Sequence, residues 1–95
     1  MPEVVDNPSL SRLEIVEDAG VAVLEYRIVG DQLVIVHTGV PKQFEGMGYG
    51  SRLVRAGIAM ARDRGLHILP LCPYARSWIE GHPDQLEGVT IDPVD

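Results

Sequence analysis

Three glycines at every second position, Gly46, Gly48 and Gly50, stand directly before a segment with helical periodicity. The first N–H groups of a helix have no partner inside it, and with the positive end of the helix dipole they form an anion site. Glycine lets the backbone approach a bulky anion and adopt positive φ. The spacing matches neither the G-x-G-x-x-G dinucleotide fingerprint nor the P-loop. The segment therefore indicates another kind of phosphate loop or a plain glycine turn.

Cys72 and His37 are the other side chains whose types suit chemistry. Cys72 precedes a segment that can form a helix, whose N-terminus would activate a thiol as a nucleophile. Most lone cysteines are instead small buried residues. His37, on an apolar strand, suits a general base near neutral pH or a structural place in the sheet. One cysteine and three scattered histidines lack metal-ligand spacing, so we expect no metal site.

Length and charge narrow the class of protein. The 95 residues fit one domain, and the formal net charge of −6 argues against a nucleic-acid surface. The sequence shows no signal peptide and no apolar run long enough for a membrane helix, so we expect a soluble cytoplasmic protein. Four arginines after the glycines indicate either an anion-binding face or a solvated helix face; they are Arg52, Arg55, Arg62 and Arg64.

Changes in periodicity predict the elements that position these residues. Alternating residues predict three antiparallel strands, followed by a helix, a short strand and a short helix. The predicted strands are residues 12–17, Val21–Val29, Gln32–Val40 and Leu66–Cys72, and the predicted helices are Tyr49–Arg64 and Pro73–His82. Residues 1–11 read as a loose arm, and residues 88–91 as a last short strand or none. A strand–helix–strand crossover makes the third and fourth strands parallel, so the sheet is expected to be mixed.

The glycine segment resembles a known cofactor loop. "VPKQFEGMGYGSRLV", residues 40–54, looks like the acetyl-CoA pyrophosphate loop of the GNAT acetyltransferase superfamily, Gln/Arg-x-x-Gly-x-Gly/Ala. In the register that fits the flanking elements, Glu45 takes the first position, and Gly48 and Gly50 are the glycines. Two further segments resemble the small single-domain GNAT-like branch: "HTGVP" at residues 37–41 and "PLCPY" at residues 70–74. The three motifs cover about residues 33–82.

The resemblance implies a minimal GNAT-like α+β fold, with a mixed sheet of about four strands, one main helix and one short C-terminal helix. It implies acetyl-CoA as cofactor and transfer of the acetyl group to an unidentified amine, with Cys72 and His37 as candidate catalytic residues. The implied cofactor-binding residues are Thr38, Val40, Glu45, Gly46, Met47, Gly48, Tyr49, Gly50, Ser51 and Tyr74. Tyr74 and Trp78, one helical turn apart, would line the cofactor channel or simply pack together.

Two other interpretations stay open at this stage. One is a CoA-binding or regulatory module without turnover, because the short chain offers little wall for an acceptor pocket. The other is a protein-interaction domain without cofactor. The expected protein is a monomer or homodimer.

Overall fold

A computed structural model describes residues 2–95, in which five strands form one mixed sheet in the order β1-β2-β3-β4-β5. The strands are β1 (Val5–Asn7), β2 (Arg12–Glu17), β3 (Gly20–Val29), β4 (Gln32–Gly39) and β5 (His67–Pro70). The helices are α1 (Tyr49–Arg64) and α2 (Pro73–Gly81), with short 3-10 turns at Pro8–Leu10, Lys42–Phe44 and Pro83–Gln85. No helix in residues 2–95 has both the length and the apolar character that a membrane crossing needs.

The antiparallel meander and the parallel crossover are confirmed. β2, β3 and β4 pair antiparallel in succession, and β4 pairs with β5 in parallel. The turn between β3 and β4 uses Gly30 at φ 60°, a conformation that an L side chain would strain. The predicted mixed sheet with one main helix and one short helix is therefore the observed architecture.

Helix α1 begins and ends where the sequence predicts. Gly48 precedes it at φ 79° and Gly65 follows it at φ 66°, both in the left-handed region that favours glycine. Its buried stripe, which includes Leu53, Val54 and Ile58, packs across the sheet. Each such side chain contributes roughly 1.5–3 kcal/mol through removal from water. The packing fixes the helix start against the end of β4.

The N-terminal part of the fold differs from the prediction. Residues 1–11 were expected to form a loose arm, but residues 5–10 contain β1 and a 3-10 turn, so the sheet has five strands instead of about four. β1 pairs with β2, and the Tyr26 hydroxyl on β3 donates a hydrogen bond of 2.6 Å to the Asp6 carboxylate. Near the other end of the chain, Ile91 forms an isolated parallel bridge with Ile68 beside β5.

A bulge in β4 decides which side chains face the helix. Glu25 pairs with His37 and Tyr26 with Ile35, which leaves Val36 without a partner on β3. Side chains alternate between the two faces of a strand, and one extra residue shifts this alternation by one position. The even-numbered residues of β4 after Val36 therefore lie on the same face as Ile35, which precedes Val36. Thr38, opposite the buried Leu24, therefore lies on the face covered by α1.

Candidate functional site

A groove of about 540 Å³ lies where the end of β4, the glycine segment and the start of α2 meet. Nine residues line it: Thr38, Val40, Phe44, Glu45, Gly46, Gly48, Tyr49, Gly50 and Tyr74. Eight of these are among the ten cofactor-binding residues that the family resemblance implies. They come from three segments of the chain, and these segments meet at this groove. The residue that the sequence reasoning missed is Phe44, a buried side chain that carries no chemical signal.

The remaining two of the ten lie outside the groove lining. Met47 is exposed on the loop. Ser51 accepts a hydrogen bond of 2.9 Å from the indole N–H of Trp78, and thereby ties α1 to α2. Trp78 itself is buried and stacks on His82, with 3.9 Å between the ring centroids. Of the Tyr74 and Trp78 pair, then, only Tyr74 faces the groove.

The glycine loop leaves the start of α1 open to a ligand. Gly46 and Gly48 have φ of 80° and 79°, and a Cβ at either would meet nothing within 4 Å. No side chain of residues 2–95 caps α1, and the first turn of the helix contains no acidic residue. The positive end of the helix therefore opens into the groove without a carboxylate on its N–H groups.

Gly50 has no room for a side chain, because Tyr74 lies close to its Cα. A Cβ at Gly50 would lie 2.7 Å from the Tyr74 hydroxyl oxygen and 2.9 Å from Cζ, much closer than real contacts. The hydroxyl end of the Tyr74 ring thus lies against the first turn of α1, yet 46% of the residue stays exposed. It forms a wall of the groove that can move.

Tyr49 forms the floor of the groove and is fixed in place. It is 1% exposed, and its hydroxyl donates a hydrogen bond of 2.7 Å to the Glu17 carboxylate. That hydrogen bond and burial raise the pKa of the Tyr49 phenol above its ordinary value. Because the hydroxyl is held by Glu17, the ring offers the groove an apolar surface rather than a proton.

Cys72 is buried next to Thr38 and lies outside the groove lining. Its Sγ is 3.5 Å from the Thr38 hydroxyl, and the residue is 3% exposed. Burial alone would raise the pKa of the thiol, but the Thr38 hydroxyl and the nearby backbone N–H groups of Thr38 and of the first turn of α2 outweigh it and lower the pKa. The first turn of α2 thus favours the thiolate, as a helix N-terminus does.

His37 lies on the other face of β4. Since neighbouring strand residues point to opposite faces, His37 points away from Thr38 and from the helices. It is exposed, and its Nε2 is 3.3 Å from the position that a Cβ on Gly39 would take. Gly39 thus leaves room for the ring toward the end of β4. The two candidate catalytic residues are brought to the same end of β4 but not into one cluster.

The sheet opens between β4 and β5 at this point. Their pairing stops at Ile35 and Pro70, although β4 continues to Gly39. The Ile35 carbonyl accepts hydrogen bonds of 3.0 Å from the N–H groups of both Leu71 and Cys72, which turns the chain away into α2. The sheet is therefore open beside residues 36–39 of β4, with the groove on one face and His37 on the other.

The four arginines after the glycines do not form a single face. Arg52 lies 5.5 Å from the Tyr49 ring centroid, and Arg55 lies 5.6 Å from that of Trp78. Arg62 donates to the carbonyls of Glu87 and Gln85, and Arg64 pairs with Asp6. Arg52 also donates a hydrogen bond to the Pro2 carbonyl, so each of the four arginines joins a different segment to α1. Within residues 2–95, no group of three or more His, Cys, Asp or Glu side chains could hold a metal ion.

Comparisons with a family model and with a solved structure point to the same family. Residues 12–89 match the family model of the GCN5-related N-acetyl-transferases. The fold is similar to the solution structure of a GCN5-like protein from Staphylococcus aureus, a candidate N-acetyltransferase, with a TM-score of 0.73 and 26% sequence identity. The match covers 96% of this chain and 90% of that one. No curated protein matches the sequence.

Proposed function

The chain belongs to the GCN5-related N-acetyltransferase family, and we propose that it binds acetyl-CoA in the groove and transfers the acetyl group to an amine. The observation that carries this proposal is the open start of α1 in a groove lined by eight residues of the family's motifs. An anion bound there is stabilised by free N–H groups and by the helix dipole.

The groove residues fit a CoA molecule in three respects. The loop at Gly46 and Gly48 has open space above it, so a bulky pyrophosphate can approach the backbone. The rings of Phe44, Tyr49 and Tyr74 give the groove apolar walls for the pantetheine arm. The gap between β4 and β5 continues from the loop toward Cys72, and it provides a path for the acyl end.

The reaction needs a base for the amine and a donor near the sulfur. Acetyl-CoA supplies an activated acetyl thioester. On the open face of the sheet, His37 is the candidate to accept the proton of the attacking amine. On the helix side, Thr38 and Cys72 are the candidates to contact the sulfur, since the Thr38 hydroxyl lines the groove and can donate to the leaving thiolate, and the Cys72 Sγ lies 3.5 Å from that hydroxyl. The gap in the sheet lets groups on opposite faces act on one bond.

Calorimetric titration with acetyl-CoA tests the cofactor site. The variant Gly48→Glu places a carboxylate in the loop and should abolish binding. The matched control is Gly30→Glu, which adds the same charge at another positive-φ glycine, in the turn at the far end of β4. Both variants carry the same kind of backbone strain, so loss of binding in Gly48→Glu alone identifies the loop as the site. Absence of binding by the unchanged protein would refute the proposal.

A second set of variants separates an enzyme from a CoA-binding module without turnover. Release of CoA is followed with a polyamine or a lysine-containing peptide as acceptor, in the unchanged protein, His37→Ala and Cys72→Ala. We expect turnover that falls in both variants while acetyl-CoA affinity is kept in His37→Ala. Tight binding without turnover for any acceptor would favour the module.

A further inference from the structure

The two helices leave one face of the sheet uncovered. Helix α1 contacts β2, β3 and β4, and α2 contacts β4, β5 and α1. Their buried side chains form one core cluster with one face of the sheet, to which Leu24 of β3 and Ile68 of β5 belong. Residues that alternate with these along each strand point to the opposite face. Both helices of residues 2–95 therefore cover the same face, and the other is the open face.

The middle of the open face is largely apolar. Its residues on the central strand β3 are Val21, Val23, Glu25, Arg27 and Val29, and the neighbouring strands add Val34, Val36 and Leu69. Val29 and Val36 are exposed, and Val34 is buried although it lies outside the core cluster under the helices. An antiparallel sheet that faces water usually alternates apolar residues toward the core with polar residues toward solvent. The valines therefore indicate a second layer on this face.

Glu25 and Arg27 are the charged residues at the centre of this face. Both are exposed, and neither takes part in a salt bridge within residues 2–95. Arg12 lies opposite Glu25 on β2 but pairs with Glu14. Arg27 lies opposite Val34 on β4. A layer that covers this face must therefore supply a cation for Glu25 and an anion for Arg27, because a buried charge without a partner is costly.

A second copy of the chain carries both charges in the required order. The open-face residues from Val23 to Val29 read Val, Glu, Arg, Val, an order that is complementary to itself about Tyr26. A twofold axis that runs across β3 at Tyr26, parallel to the sheet, places Glu25 over Arg27 of the partner subunit. The same axis places Val23 over Val29 of the partner subunit. A twofold axis along β3 would instead place each charge over its own copy.

We propose that two copies of the chain pack their open faces together, with β3 antiparallel to β3 of the partner subunit. An isologous dimer makes each contact twice, so the central Glu–Arg pair occurs on both sides of the axis. Packed sheets lie about 10 Å apart with their strands within about 30° of each other, which keeps the facing side chains in contact. The dimer also covers His37, which lies opposite Glu25 on β4. Self-association would therefore compete with the approach of an amine to His37; this consequence rests on the proposed function, whereas the association does not.

Sedimentation equilibrium from micromolar to millimolar protein tests the association through single charge reversals. The unchanged protein should form a dimer that dissociates on dilution. Glu25→Arg and Arg27→Glu should each raise the dissociation constant at least about tenfold, because each places like charges in both central pairs. The matched control Glu87→Arg changes the charge of an exposed residue on the helix side, where Arg62 of α1 donates to its carbonyl. It should dimerise like the unchanged protein.

Combination of the two variants should restore the association. A mixture of Glu25→Arg and Arg27→Glu should form a heterodimer, because the two positive side chains of one copy then face the two negative ones of the other. The double variant Glu25→Arg/Arg27→Glu exchanges the charges and should dimerise like the unchanged protein. An unchanged protein that stays monomeric throughout, a dimer that the single reversals leave intact, or a mixture that stays monomeric would each overturn the inference.

Turnover supplies the readout for the competition at His37. Amine-dependent release of CoA per molecule should fall as the concentration of the unchanged protein rises, and should stay constant in Arg27→Glu. Turnover that ignores concentration while the dimer forms would overturn the competition. Absence of acetyl-CoA binding would refute the proposed function and leave the sedimentation result standing. Absence of the dimer would refute the inference and leave the proposed function intact.

Discussion

Replacement of Gly50 by alanine should impair the groove while leaving the stability of the fold nearly unchanged. The new Cβ would stand 2.7 Å from the Tyr74 hydroxyl oxygen, 2.9 Å from Cζ and 3.1 Å from Cε2. These atoms belong to the far end of a side chain that is 46% exposed, so we expect the ring to swing away rather than the helix to move. The displaced ring would then stand in the path of the ligand.

The opposing contributions to stability are of similar size. Alanine in place of glycine favours a helix by up to about 1 kcal/mol. A forced change of the Tyr74 rotamer costs about 0.5–1.5 kcal/mol, and part of the buried ring surface is lost as well. The net change in the free energy of unfolding should therefore be within about 1 kcal/mol of zero. Acetyl-CoA affinity should fall at least tenfold, which corresponds to about 1.4 kcal/mol.

The same helix offers a matched control. A Cβ on Gly57 would lie 3.7 to 4.0 Å from Leu24, Leu13 and Ile35, which is ordinary contact distance. Gly57→Ala should therefore stabilise the protein by up to about 1 kcal/mol and leave affinity unchanged. Urea unfolding followed by fluorescence of Trp78, the sole tryptophan, and calorimetry supply the two readouts.

The double variant Gly50→Ala/Tyr74→Ala tests the cause. If the steric conflict with Tyr74 carries the effect, the two substitutions should be strongly non-additive in binding. A Gly50→Ala protein that is destabilised by more than about 2 kcal/mol, yet binds normally, would refute the reasoning, since the ring would then be locked in place.

Three further outcomes follow from the titrating groups. Thr38→Val should raise the pKa of the Cys72 thiol, because the Thr38 hydroxyl helps to keep that pKa below its ordinary value. The pKa is measured from the absorbance of the thiolate as a function of pH, with Cys72→Ala as the blank. Burial and the hydrogen bond to Asp6 raise the pKa of Tyr26 to about 12, so its contribution to stability is complete below about pH 10 and is lost as the pH rises toward 12. In Tyr26→Phe, the free energy of unfolding measured with urea should therefore decrease less over this alkaline pH range. Hydrogen bonds from Gln32 and His67 lower the pKa of Asp92, so its contribution is present above about pH 4 and is lost on further acidification. Asp92→Asn should unfold with a weaker dependence on acid pH, as circular dichroism would show.

Local signals made the larger elements predictable. The bounds of α1 followed from the glycines on both sides and from the arginines in its last turn, and these are the bounds observed. The parallel pairing of β4 with β5 followed from the helix between them. β1 carried no comparable signal, since a three-residue strand depends on partners elsewhere, such as the hydrogen bond from Tyr26 to Asp6.

The composition of the groove was largely predictable, but its geometry was not. The sequence motifs identified the loop. They do not show that Tyr74 lies against Gly50 or that Ser51 accepts a hydrogen bond from Trp78. Both contacts join segments more than twenty residues apart, and they exist only because α2 packs beside α1. For the same reason the arginines, which suggested an anion-binding face, proved to have separate partners.

The bulge at Val36 links the fold to the proposed chemistry. Without the extra residue, strict alternation from Ile35 would place His37 on the helix face and Thr38 on the open face. The Thr38 side chain would then point away from Cys72, and the thiol would lose its contact with the Thr38 hydroxyl. With the bulge, Thr38 lines the groove and contacts Cys72 behind it, while His37 is exposed on the other face of the sheet. A ligand that enters from the helix side and an amine that arrives from the open face would thus meet in the gap without competing for space. Under the proposed function, the open face of the sheet would give the amine its own approach, and the short chain would then need no deep acceptor pocket on the helix side.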